Sequence, residues 1–138
     1  MKILNFALLA GVAGLLAACG GSSVVEPSDL NNQRVFFAFN SAEISEEANN
    51  NLLGQALYLK NHEDTKIQIA GNCDERGSTE YNLALGARRA NAAKAVLVKD
   101  GIASSRISTI SYGKERPLVQ GSGEEVWKWN RNATTTVK

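Results

Sequence analysis

One histidine and two cysteines are too few to assemble a site from several imidazole and thiolate ligands, so structural zinc and a Cys-Cys-His centre are excluded. A metal site made of carboxylates alone stays open. No excess of charge of one sign is present either: 15 Lys and Arg face 14 Asp and Glu, giving +1 overall. This balance offers no basic field for nucleic acid and no acidic run of the kind that marks a disordered tail. Only two prolines occur, there is no internal repeat or low-complexity block, and no segment beyond the N-terminus approaches the roughly 20 apolar residues of a membrane span. What remains is 138 residues, 43% of them hydrophobic: room for one globular domain with a real core and little else.

Met1-Lys2 followed by an apolar, Ala/Gly-rich run from Ile3 to Ala18 has the layout of a secretory signal peptide, which predicts export. The segment Leu16-Ala17-Ala18-Cys19 resembles a bacterial lipobox. That resemblance implies cleavage before Cys19, a diacylglycerol on its thiol and acylation of the new amine; an ordinary secretory signal with a coincidental cysteine is the alternative. Each buried methylene contributes about 0.8 kcal/mol, so several acyl chains anchor firmly where one binds reversibly. Gly20 follows Cys19 where an Asp often signals inner-membrane retention, which by resemblance favours the outer membrane. Cleavage takes Lys2 from the 15 basic residues and nothing from the 14 acidic ones, so the mature side chains balance to zero.

With Cys19 carrying lipid, Cys73 is alone and no intramolecular disulfide forms. A catalytic Cys73 would need a base, and His62 falls in a different element, so Cys73 reads as a small buried thiol near a strand end. His62 itself reads as a solvated contact in the last turn of a helix, beside Glu63 and Asp64, with a pH switch as the alternative.

The chain divides into a signal peptide at 1–18, a lipidated N-terminus and flexible linker at 19–33, and one domain at 34–138. The linker is Gly/Ser-rich, then polar with Pro27, and has no period; extended, it spans about 50 Å. Val35 to Phe39 predicts a buried first strand. Ser45 with Glu46 and Glu47 predicts a helix start, with Ala48, Leu52, Ala56 and Leu59 on its inner stripe to about Asn61. Lys66 to Ala70 alternates as a half-buried strand. Ser78-Thr79-Glu80 caps a long helix to about Lys99, with Leu83, Ala87, Ala90 and Leu97 on one stripe. Arg106 to Tyr112 and Ala133 to Val137 give two further strands, with a loop containing Pro117 and a possible short helix between them. The β-branched tail Thr134-Thr135-Thr136-Val137 is expected to form an edge or partly loose strand. The predicted fold is an α/β sandwich of βαβαββ order, a mixed four-stranded sheet with two main helices packed on it.

In an open α/β sheet, ligands collect at the carboxyl ends of strands, and those loops carry Asn40 and Asn72-Cys73-Asp74-Glu75-Arg76-Gly77. Asn82, Leu85 and Arg89 follow on one helical stripe, with Asn82 and Arg89 about 10 Å apart along the axis. Asp74 and Arg89 are thus placed as anion and cation across a small crevice, suited to a zwitterion with an ammonium and a carboxylate on one carbon. An ordinary Asp/Arg salt bridge reads the same at this level.

The runs Phe37-Ala38-Phe39-Asn40, Gly71 to Ala90, Ile110 to Pro117 and Asn130-Arg131, in that order, closely resemble the peptidoglycan-associated lipoprotein (Pal) family of the OmpA-like domain superfamily, from about residue 34 onward. The resemblance implies a wall-binding protein, with no cofactor and no enzymatic activity. It holds the meso-diaminopimelate of the peptidoglycan stem peptide, Asp74 taking the ammonium and Arg89 the carboxylate. It further implies that Phe39 and Asn40 border the pocket, that Arg76 and Asn82 support it, and that Asn130 and Arg131 close the other side. As partners it implies the β-propeller protein TolB and other Tol or OmpA-type envelope proteins, within a Tol-Pal system that supports envelope integrity and cell division. Two positions depart from the family pattern: Asn40 replaces the usual Asp, and Asn130-Arg131-Asn132 replaces Asn-Arg-Arg. Trp127 and Trp129 could stack on a sugar, but one ring is expected on the core.

Two alternatives remain beside the outer-membrane tether: an OmpA-like wall-binding lipoprotein outside the Tol system, and a wall hydrolase using Asp74 and Glu75. Sequence neighbours on one tight loop rarely face a substrate from two sides, which disfavours the hydrolase. On the clamp reading, Asp74→Ala and Arg89→Ala are expected to abolish wall binding and leave the fold intact.

Overall fold

The structure, a computed structural model, describes residues 24–138. The signal segment 1–18 and Cys19 lie outside the described residues. In chain order the elements are β1 (Gln33–Phe36), α1 (Glu46–Asn61), β2 (Ile67–Asn72), α2 (Thr79–Lys99), a 3-10 turn at Ser104–Arg106, β3 (Ile107–Gly113), α3 (Glu124–Asn130) and β4 (Asn132–Val137). The sheet order is β1-β4-β2-β3, with β2 and β3 parallel and β4 antiparallel to both of its neighbours. This is the expected mixed four-stranded sheet with two main helices.

Both long helices start where their caps predict. The Ser45 hydroxyl accepts from the Ala48 amide and the Ser78 hydroxyl from the Tyr81 amide, each satisfying an N–H that the helix leaves orphaned. Leu52, Ala56 and Leu59 of α1 and Ala90, Ala93 and Leu97 of α2 bury one face of the sheet, against Val35, Ile67, Ile69, Ile107 and Ala133. Among the described residues neither long helix covers the opposite sheet face, which is polar, with Gln68, Thr134 and Thr136 on it. Leu83, expected on the inner stripe of α2, is 41% exposed; the buried stripe instead runs through Asn82, Leu85, Arg89, Ala93 and Leu97. Asn82 and Arg89 therefore occupy positions that hydropathy alone assigns to apolar residues.

Three further expectations are corrected. The first strand ends at Phe36, because β4 begins at Asn132, the partner of Phe36, and the ladder has nothing further to pair with. The Phe37 amide still donates to the Arg131 carbonyl at 2.9 Å, after which the chain turns through Asn40, whose φ of 59° suits asparagine. Phe39 is consequently 57% exposed rather than part of a buried strand. The β-branched tail is no edge: β4 lies inside the sheet and pairs on both sides, so β1 and β3 form the edges. Thr135 suits that interior place because its hydroxyl donates to Gln55 Oε1 at 2.7 Å. Finally, the segment expected as linker up to Gln33 is docked over its later part. Leu30 is fully buried in the core, Asn61 donates to Glu26 at 3.1 Å, and the Val25 carbonyl lies so close to Gly54 that a Cβ there would meet it at 2.3 Å.

Candidate functional site

Asp74 follows the carboxyl end of β2 and is 4% exposed. Its Oδ1 accepts from the Arg76 amide at 3.0 Å and Arg76 Nε at 3.2 Å, and its Oδ2 from Arg76 Nη2 at 2.7 Å and Arg131 Nη1 at 3.4 Å. Burial alone would push this carboxyl up; the Arg76 side-chain and backbone donors, with Arg131, outweigh it and hold Asp74 below the usual carboxylate range. It is therefore an anion at neutral pH.

Arg89 is 1% exposed, almost three turns along α2 from its amino end. Its Nε donates to the Ser41 carbonyl at 2.8 Å, Nη1 to the Asn72 carbonyl at 2.9 Å and Nη2 to the Ala38 carbonyl at 3.1 Å. Burial lowers its pKa, and a guanidinium nevertheless stays charged. Among the described residues it has no carboxylate partner. A guanidinium has five N–H groups, so two remain after those three bonds, at a cavity that Arg89 lines.

That cavity, of about 100 Å³, brings together Phe39, Asn40, Asp74, Arg76, Asn82 and Arg89. These are the positions expected from the sequence on the β1–α1 loop, the β2–α2 loop and α2. Asn82 shapes it from below: its side-chain amide donates to the Arg76 carbonyl at 2.8 Å and the Ser78 carbonyl at 3.0 Å. Its own carbonyl accepts from Cys73 Sγ at 3.3 Å. Cys73 is buried as expected, and burial pushes its thiol up.

Asn130 does not reach the cavity. Its amide exchanges two 2.9 Å hydrogen bonds with the Val119 backbone and pins the loop before α3. Arg131 approaches Asp74 from behind, held by the Phe37 carbonyl at 2.8 Å and by a two-pronged pair with Glu124 at 3.1 and 2.8 Å. That pair raises Arg131 and lowers Glu124. The departure at Asn132 is absorbed into a buried amide network, accepting from Asn72 Nδ2 and from Thr134 Oγ1 at 2.9 Å each.

Trp127 belongs to the site, which sequence reasoning missed. Neither tryptophan joins the core: Trp129 meets Phe36 edge to face, while the Trp127 ring stacks on the Arg76 guanidinium. Its indole N–H donates to Glu75 Oε2 at 2.7 Å, and Ser122 donates to the same oxygen, which lowers Glu75. The signal was available, since Glu124, Trp127 and Arg131 stand at i, i+3 and i+7 along α3 and its end and so share a face. His62 is the expected terminal contact but with other partners, the Tyr58 carbonyl at 2.8 Å and the Tyr58 ring stacked beneath it.

A one-sided mixed sheet with a charged, loop-built cavity over β2 defines the class. The sequence model of the OmpA family matches residues 36–131, and the chain belongs to that family. Within it the similarity is to peptidoglycan-associated lipoproteins. That of Mesorhizobium japonicum is 44% identical over 99% of this chain and 80% of its own, and that of Pasteurella multocida 38% identical over 96% of each. The crystal structure of the peptidoglycan-associated lipoprotein from Burkholderia pseudomallei superposes with a TM-score of 0.75 at 39% identity, covering 77% of this chain and 90% of that one. The C-terminal domain of Helicobacter pylori MotB, at 20% identity and a TM-score of 0.69, shares the fold over 75% of this chain and 81% of its own.

Proposed function

We propose that this protein binds peptidoglycan non-covalently and tethers the outer membrane to the cell wall. The cavity takes the zwitterionic centre of meso-diaminopimelate in the stem peptide, its ammonium on Asp74 and its carboxylate on the two remaining N–H groups of Arg89. The observation that carries this reading is that a buried anion and a buried cation line one cavity and are satisfied by different partners, so neither neutralises the other. Cys19 carries the lipid, the domain faces the periplasm, and TolB of the Tol system is the protein partner; this last part rests on the family likeness.

A wall hydrolase fits the geometry poorly. Asp74 turns inward to Arg76 and Arg131 while Glu75 turns outward to Trp127 and Ser122, and both carboxyls are lowered. A glycoside-cleaving acid needs a raised carboxyl facing its partner across the substrate.

The test is sedimentation of the full chain, in detergent, with purified walls. Walls containing diaminopimelate should pull it down. Walls with lysine in that place, which lack the distal carboxylate, should do so at least about tenfold less, the usual result of leaving a buried cation unpaired. Asp74→Ala should abolish pelleting, and pelleting that survives this change refutes the clamp. For the anchor, Cys19→Ser should move the protein from the membrane to the soluble fraction with its circular dichroism unchanged; continued membrane association would refute lipidation as the anchor.

A further inference from the structure

We propose that Phe39, Trp127 and Asp74 form a cation cage whose resident occupant is the protein's own Arg76, and that a ligand enters by displacing it with an ammonium carried on an alkyl stem. The inference rests on the reading of Asp74 as the ammonium acceptor and adds what must happen before that contact can form.

The Arg76 guanidinium lies between two rings, its Cζ 3.8 Å from the Phe39 centroid and 4.0 Å from the Trp127 centroid. Its edge forks onto Asp74. Two aromatic faces closed by a carboxylate are the ingredients of a cation site, because ring quadrupoles and the anion attract the same charge. The cage also accounts for the exposure of Phe39, which has no place in the core and spends its face on Arg76.

Asp74 is saturated as it stands. A carboxylate offers about four acceptor positions, and the Arg76 amide, Nε and Nη2 together with Arg131 Nη1 fill them. An incoming ammonium must therefore remove a donor. Arg131 cannot leave, since its side chain is 8% exposed and is also bound to Glu124 and the Phe37 carbonyl. The amide of residue 76 is fixed by the loop. The Arg76 side chain, 31% exposed, has a guanidinium bound only to Asp74 and the two rings among the described residues, so it is the one that can swing out.

Charge points the same way. Three guanidinium groups and three carboxylates already meet here: Arg76, Arg89 and Arg131 with Asp74, Glu124 and Glu75, the last held on the Trp127 indole. An ammonium placed on Asp74 beside Arg76 would be repelled by that guanidinium at contact distance, whereas an exchange removes the like-charge contact. The vacated slot between the rings then receives the methylene stem and ammonium of the ligand.

The experiment titrates free meso-diaminopimelate, and separately purified walls, into the detergent-solubilised full chain as wild type, Arg76→Ala, Arg76→Gln and Trp127→Leu. A resident that keeps about nine molecules in ten closed lowers apparent affinity by that factor, so both Arg76 variants should bind about tenfold more tightly than wild type. Trp127→Leu should bind more weakly. Arg76→Gln keeps much of the packed stem and reports on exchange should Arg76→Ala unsettle the loop. Wild-type binding with unchanged or weaker binding by both Arg76 variants overturns the cage alone, making Arg76 an ordinary ligand contact. Failure of every variant, wild type included, to bind either probe overturns the parent reading and the cage together.

Discussion

Replacement of Arg89 by alanine should lower the unfolding free energy by about 2–4 kcal/mol, a cost that the sequence-based expectation of an intact fold does not include. The guanidinium is a structural rivet before it is a ligand. It joins Ala38 and Ser41 of the β1–α1 loop to Asn72 at the end of β2 through three backbone carbonyls, of which that of Asn72 is buried and the other two are half-buried. Truncation strips these acceptors of a charged donor and leaves a void at the base of the cavity; the orphaned buried carbonyl of Asn72 costs about 1–3 kcal/mol, and the two half-buried ones, which water reaches, cost less. For a domain of ordinary stability, 5–15 kcal/mol, the loss is a large fraction. The melting temperature should fall by about 15 °C, and urea titration should show the midpoint move with an unchanged slope. Arg89→Lys should recover only part of the loss, because an ammonium has no planar fork to reach three acceptors at once. A change below about 1 kcal/mol in Arg89→Ala would show that water can replace the guanidinium, and that Arg89 is held in reserve for the ligand alone. The corollary is practical: loss of wall binding in Arg89→Ala confounds fold with grip, so the clamp is better tested at Asp74. There Arg131 keeps Glu124 and the Phe37 carbonyl when the carboxylate is removed.

What could be read from the sequence was what depends on neighbours along the chain. Ser45 and Ser78 announce their helices because a cap is a contact three residues long. The loop from Asn72 to Gly77 announces the site because it lies between a strand and a helix and is polar where the flanks are not. The contacts that were illegible join residues far apart. The place of β4 between β1 and β2 depends on pairing across roughly sixty to a hundred residues, and a threonine-rich strand serves an edge or an interior equally well until its partners are known. Asn82 and Arg89 sit on the buried stripe of α2 in defiance of hydropathy, and the carbonyls of Ala38, Ser41, Asn72, Arg76 and Ser78 that accept from them make that tolerable. The placing of Asp74 and Arg89 on one cavity followed from local spacing; that each has its own separate partners did not.

Gly71→Ala should be the most damaging single-methyl change in the domain, at about 3 kcal/mol or more, the upper end of overpacking. A Cβ at residue 71 would stand 1.7 Å from the Gly86 carbonyl oxygen, so α2 rests on β2 backbone to backbone, with no side chain between them to yield. Reaching ordinary contact requires the helix to retreat by roughly 1.5–2 Å. That movement carries Arg89, less than one turn further along, out of reach of the Asn72 carbonyl that it meets at 2.9 Å. Packing and site should therefore fail together: lower thermal stability and lost sedimentation with walls in one substitution that touches no ligand-facing atom. Gly86→Ala should cost less: its Cβ would meet the Ser111 hydroxyl at 2.3 Å, a side-chain tip that can rotate away, and the Gly71 carbonyl oxygen at 2.9 Å, a far smaller backbone overlap than the 1.7 Å at residue 71. Gly123→Ala should also cost less than Gly71→Ala, about 1–3 kcal/mol, since among the described residues no atom lies within 4 Å and only its φ of 102° and ψ of 159°, a region almost reserved for glycine, are penalised. The order of the three melting temperatures is the measurement. If Gly71→Ala were the mildest, α2 would be shown to ride on the sheet through yielding side chains, and the depth at which Arg89 meets the cavity would need another cause.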